Sequence, residues 1–233
     1  IFSIEQEVSN VGYAYSFDWN IIRNGETSSE VTVFISKRNG NVLERLAIPF
    51  INTPLESKAK ELIREFRLVL TSHLDKTKVT IEGEVTFDST FCVCVPIKTS
   101  QYGKAYGMMS HYNGLSMYVA EQGHESLGVP LVEITSWKMN SDQIEFNFCY
   151  PIAPTKSRDS NYTYKWLPSR RALKAVYNGN YITSDRAWFQ LLTYAADNNL
   201  KTTKKPIEVF YDNPNFGIKE NEWRADIFLP LEY

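Results

Sequence analysis

The sequence predicts an α+β fold: duplicated β-α-β-β units form one curved antiparallel sheet with two helices, behind an N-terminal strand-rich segment with a long helix. Three observations carry this. Between residues 91 and 230 the same order of elements occurs twice: strand, helix, Pro, strand, turn, strand, Pro. Pro130 and Pro206, and Pro151 and Pro230, stand at nearly the same offset in the two passages. Ahead of them, the apolar residues from Leu55 to Leu74 recur at spacings of three and four, a helical period.

The N-terminal elements come first. Ile4 to Val8, Tyr13 to Ile21, Glu30 to Ser36 and Val42 to Ile48 are rich in β-branched and aromatic residues, and Asn24-Gly25 and Asn39-Gly40 are turn signals between them. Pro49 and Pro54 close this run. Leu55, Ala59, Leu62, Ile63, Phe66, Val69, Leu70 and Leu74 then form one stripe of a helix, with charges between them and His73 completing it. Lys76 to Asp88 is polar and reads as a crossing between domains 1–76 and 77–233, although the alternation of Val79, Ile81 and Val85 also fits a first strand.

In the first unit, Cys92 to Pro96 reads as a strand and Lys104 to Gln122 as a helix. A bend at Gly128 and Pro130 leads to the strand Leu131 to Trp137, and Asn140-Ser141-Asp142 turns into Ile144 to Tyr150, ended by Pro151. The second unit starts near Trp166. Ala172 to Tyr177 is a strand, Asn178-Gly179 a turn, and Thr183 or Ser184 caps a helix to about Asn198, with Asp185 adding negative charge to its first turn. Ile207 to Tyr211 and Trp223 to Leu229 follow, joined by Asp212-Asn213-Pro214 and ended by Pro230. Helices on one face of such a sheet leave the other as a groove across a pseudo-twofold seam.

Composition excludes several functions. The net charge is -2 with no Lys/Arg-rich run, so no nucleic-acid partner is expected for this chain. No stretch reaches the length of a membrane span. The chain starts at Ile1, inside a strand-like run, and reads as a cleaved product or a piece, with any membrane anchor lying upstream. The three cysteines, Cys92, Cys94 and Cys149, form no C-x-x-C pair, which argues against a disulfide framework and a zinc site and fits a reducing, cytoplasmic location. The three histidines, His73, His111 and His124, are scattered, and Cys149 has none near it in sequence. There is no nucleophile elbow, zinc-protease helix or phosphate loop. No catalytic residue, metal or cofactor is expected.

Several short segments, in this order and spacing, resemble the GyrI-like family, the DNA gyrase inhibitor-like and transcription-activator effector-binding domains of bacteria. They are Leu167-Pro168-Ser169, Ala172 to Tyr181, Arg186-Ala187-Trp188, Pro206 to Pro214 and Trp223 to Pro230. The resemblance covers about residues 80 to 233. Residues 1–75 resemble, in organisation more than in motif, the C-terminal part of a START-like (polyketide cyclase-like) domain.

By alternation, Asp226 shares a strand face with Arg224 and Phe228, opposite Ala225, Ile227 and Leu229. On residues alone this is a solvent-facing acid beside Arg224. The resemblance makes it the cleft carboxylate: the family places a Glu four residues before the final Pro, here an Asp one methylene shorter. The matching place before Pro151 is the neutral Asn147, so a ligand across the seam is expected to meet one charge. The resemblance implies a small-molecule effector that is aromatic and can be cationic, bound in the cleft between the two repeats. Tyr211 and Phe228 are the expected groove rings, Glu145 shares Asn147's face, and Trp137 and Trp166 lie on bordering elements. Glu133 and Glu208 match approximately between the units and read as strand-edge charges. Two alternatives stand beside binding: a hydrolase that uses the cleft carboxylate on a reactive small molecule, and a protein-interaction module of gyrase-inhibitor type.

Overall fold

A computed structural model describes residues 2–10, 13–24, 28–37, 54–138, 142–156, 159–214, 217 and 219–232. By packing, the chain divides into Ile1–Arg67 and Leu68–Tyr233.

In the first unit, β1 (Phe2–Asn10), β2 (Tyr13–Asn24) and β3 (Ser28–Lys37) form an antiparallel sheet in the order β1-β2-β3. The expected strand Val42 to Ile48 lies outside the described residues. Helix α1 (Pro54–Asp75) starts on a proline, whose fixed φ and missing N–H suit a first helical turn. Phe66 of α1 packs its ring 5.6 Å from that of Trp19 on β2.

The second unit is built on an antiparallel sheet of eight strands in the order β4-β9-β11-β10-β6-β7-β5-β8. Its strands are β4 (Lys78–Phe87), β5 (Thr90–Ser100), β6 (Leu131–Lys138), β7 (Gln143–Pro151), β8 (Thr163–Leu167), β9 (Arg170–Asn178), β10 (Ile207–Phe210) and β11 (Arg224–Pro230). Helix α2 (Lys104–Glu121) joins β5 to β6, and α3 (Arg186–Asp197) joins β9 to β10. The order is a palindrome in structural roles. β6 and β10 meet at the centre with Val132 opposite Glu208, and β7, β5 and β8 repeat β11, β9 and β4 outward. The duplication expected from the prolines is therefore present as a pseudo-twofold.

The polar run 76–88 is mostly strand β4. Its burial alternates because one face packs on the helix-side core through Val79 and Ile81 while the other face is more open to water. Gly83 takes a φ of 92° at a bulge beside Glu82, a conformation costly for a side-chain-bearing residue. β4 pairs with β9 of the second repeat, and β8, which precedes the second repeat, pairs with β5 of the first. Each repeat thus lends its leading strand to the other.

The two faces differ. Phe146, Phe148, Leu173, Ala175, Tyr177, Ala225, Ile227 and Leu229 form the main core with Leu115 and Val119 of α2 and Trp188 and Leu191 of α3. The opposite face carries Phe87, Cys92, Cys94, Leu131, Cys149, Leu167 and Ile207, a cluster to which no described helix contributes. Lys165 on β8 reaches Glu133 on β6 at 2.7 Å, past two intervening strands. At about 4.8 Å per strand a flat sheet would hold them roughly 14 Å apart, so the sheet is concave on this face.

Three expectations are corrected. Cys94 and Cys149 form a disulfide, because the register of β5 and β7 sets them directly opposite; only Cys92 is free. The helix after Asn178-Gly179 is not capped by Thr183 or Ser184: a 3-10 turn over Tyr181–Thr183 intervenes, its start capped by Asn180 Oδ1 accepting from the Ile182 N–H. Glu208 is not an edge charge. It is fully buried on the helix side and bonded to Lys104.

Candidate ligand-binding groove

Register fixes what faces the concave side. One row runs Val176, Asp226, Val209, Leu131, Cys149, Cys94, and the next runs Lys174, Phe228, Ile207, Glu133, Asn147, Pro96. Most of this floor is apolar, with a polar group on each side of the seam.

The first group is centred on Asp226, which is only 3% exposed. Arg224 donates from Nε to Oδ1 at 2.9 Å and from Nη2 to Oδ2 at 3.1 Å, a two-toothed grip made possible because the residues are two apart on one strand face. Lys174 Nζ lies 2.9 Å from Oδ2 and 2.9 Å from Glu82, and the Tyr211 hydroxyl donates to Oδ2 at 3.3 Å. Burial pushes the Asp226 carboxyl up, but the bonds and charges of Arg224 and Lys174 outweigh it and hold it below its usual value. Burial, then Asp226, pushes the Tyr211 phenol up, so it stays a donor at neutral pH.

The second group is centred on Glu133. Lys165 donates to its Oε2 at 2.7 Å and Asn147 Nδ2 at 2.9 Å. The groove therefore meets a carboxylate in each half, not one as expected. The apparent match of Glu133 with Glu208 fails because Glu133 opposes Ile207 on the concave face, while Glu208 opposes Val132 and turns to the helices.

The rings divide. Tyr211, about half exposed, carries the Arg224 guanidinium 5.0 Å from its ring centre. Phe228 meets Phe87 edge-on at 5.2 Å and Lys174 Nζ at 5.8 Å. Asp226, Tyr211 and Phe228 are thus brought together, and Asn147 lies across the seam beside Glu133. Glu145 is on the same face as Asn147 but stands out in solvent, paired to Lys98 at 2.8 Å. Trp137 is not in the groove. A bulge between Ile134 and Ser136 adds a residue and reverses the alternation, so Trp137 packs against Trp188 and Phe189 on the helix side. Trp166, on edge strand β8, stacks at a tilt on Phe91 of the helix-side core.

Beneath the seam, on the helix side, Lys104 Nζ lies 2.5 Å from Glu208 Oε2 and 2.7 Å from the Ser184 hydroxyl. Trp188 Nε1 donates to Glu208 Oε1 at 2.7 Å. All four residues are buried, and sequence reading missed the cluster. The signal was there in part: Lys104 begins α2 and Ser184 stands two residues before α3, but neither residue type announces a buried cluster.

Among the described residues no group of His, Cys, Asp and Glu is arranged to hold a metal, and no helix is long and apolar enough to cross a membrane. The family model of GyrI-like small molecule binding domains matches residues 93–232. Among solved structures, the C-terminal domain of EcmrR is similar with a TM-score of 0.56 at 15% identity, covering 67% of this chain and 98% of that one. EcmrR in a complex with DNA gives 0.54 at 12% identity, covering 83% and 78%. SAV2435 bound to tetraphenylphosphonium gives 0.50 at 12% identity, covering 66% and 94%. At these identities the likeness shows the fold. No curated protein matches the chain.

Proposed function

Because this chain belongs to the GyrI-like family of small-molecule-binding domains, we propose that its concave groove binds an aromatic small molecule, as an effector does. The observation that carries the reading is the polar group of Asp226, Arg224, Lys174 and Tyr211 on a mostly apolar face to whose cluster no described helix contributes. Tyr211 and Phe228 offer ring surface, and Arg224, held by Asp226, and Asn147 offer polar contacts on either side of the seam. Of the similar structures, SAV2435 was solved with tetraphenylphosphonium, an aromatic cation. For the N-terminal unit, three long strands in meander order followed by a long helix support a START-like origin.

General-base hydrolysis draws no support from the surroundings of Asp226. Its carboxyl is held low and both its oxygens are engaged, so it is a weak base. Binding without turnover fits better.

Calorimetric titration of the chain with planar aromatic compounds tests this reading. Tyr211→Ala is expected to weaken a bound compound about five- to tenfold, the worth of one aromatic contact of 1–1.5 kcal/mol. A compound whose affinity ignores both Tyr211→Ala and Phe228→Ala would bind elsewhere and count against the groove.

A further inference from the structure

We propose that the groove selects an aromatic ligand that carries an anionic group, with Arg224 as its anchor; this rests on the groove being the binding site. A carboxylate offers about four lone-pair positions. Those of Asp226 are met by Arg224 Nε, Arg224 Nη2, Lys174 and Tyr211. The acid that a cationic ligand would seek is already saturated. One face of each groove ring is taken as well: Arg224 lies over Tyr211 and Lys174 over Phe228. At Glu133, the carboxylate of the other half, Lys165 already stands as the cation, so the protein itself supplies a cation at each groove carboxylate and ring a cationic guest would use.

What remains unspent around Asp226 is donor capacity. Arg224 has five N–H groups and gives two to Asp226; its side chain is 47% exposed, against 4% for Asp226. Lys174 gives two contacts, to Glu82 and Asp226, and Lys165 one, to Glu133, each of three donors. The charges are ordered in depth, with the acid inside and the guanidinium facing out. A ligand carboxylate can pair with the outer edge of Arg224 without disturbing Asp226. A ligand cation has to displace Arg224 or Lys174 from Asp226, or Lys165 from Glu133, before it gains a carboxylate to itself.

The test is calorimetry on the full chain with three probes of one shape and different charge: 2-naphthoate, 2-naphthalenemethanol and 2-naphthylmethylammonium. The naphthoate is expected to bind about tenfold tighter than the alcohol, the scale of one charge-assisted hydrogen bond, and the ammonium more weakly than the alcohol. Arg224→Gln is expected to bring the naphthoate to the affinity of the alcohol, and Arg224→Lys to keep most of the preference. Binding of the alcohol by Arg224→Gln reports that the variant is folded. If it binds nothing, the order of the three probes on the unaltered chain still decides. Tightest binding of the ammonium overturns the charge preference and leaves the groove standing. A preference that survives in Arg224→Gln overturns the assignment to Arg224. Failure of all three probes to bind overturns the groove reading and this proposal with it.

Discussion

Lys104, the first residue of α2 in one repeat, meets Glu208, on β10 of the other, at 2.5 Å with both side chains sealed from water. The pair ties the repeats together under the seam that forms the groove floor. Buried charges are tolerated because each is met several times over: Glu208 by Lys104, Ser184 and Trp188, and Lys104 by Glu208, Ser184 and the Trp188 ring at 4.6 Å.

Lys104→Met should therefore lower stability by about 3–5 kcal/mol, because it leaves Glu208 buried without its counterion. Lys104→Met with Glu208→Leu should be less destabilised than the single change. Urea unfolding of the three proteins measures both. A single change costing under about 1 kcal/mol would mean that water reaches Glu208.

Asp226 should give the chain an acid-sensitive component of stability. Its folded carboxyl is held below the unfolded value of 3.8, so the stabilisation is fully present well above that value and is lost as pH falls through the lower folded value. Asp226→Asn should cost about 1–3 kcal/mol at pH 7, the range for charge-assisted bonds, and the gap to the unaltered chain should narrow as the solution is acidified below 3.8. Chemical denaturation across that range checks the sign. A gap that widens on acidification would contradict it.

The Cys94–Cys149 disulfide predicts a cysteine count. Alkylation of the unfolded, unreduced chain should add one label, at Cys92, and alkylation after reduction should add three. Reduction should cost about 2–4 kcal/mol. In the folded chain Cys92 should resist labelling, because it is fully buried and burial pushes its thiol up to about 12.

Lys165 and Glu133 arch over that cysteine cluster. Lys165→Ala should speed alkylation of Cys92 in the folded chain several-fold while costing no more than about 1 kcal/mol, since the lysine is 31% exposed. Timed labelling followed by mass spectrometry separates the two effects.

The duplication was legible because prolines stop strands at the same places in both repeats, and the face of Asp226 was legible because β11 alternates without interruption. Interruption is what hid the rest. One extra residue at Thr135 turned Trp137 to the wrong side for an alternation argument. The opposition of Cys94 and Cys149 depends on how β5 is slid against β7, which neither strand states alone. Glu208 looked like an edge charge because Lys104, which neutralises it, lies in the other repeat. β4 looked like a linker because the residues of its more exposed face are polar. The state of Asp226 was half visible: Arg224 was in view two residues away, while Lys174 and Tyr211 arrive only through the register of β9 and the course of the chain after β10.

The lending of β4 to the second repeat and β8 to the first bears on how the chain folds. Neither repeat closes its own sheet, so neither has a complete native state to reach alone. β4 leaves the ribosome long before β9 is made and must wait with its pairing edge unmatched. Folding should then be a late, all-or-none event with a high share of distant contacts, and accordingly slow. The same interlock makes the finished domain hard to open from one end, since prising off either outer strand also uncovers the other repeat.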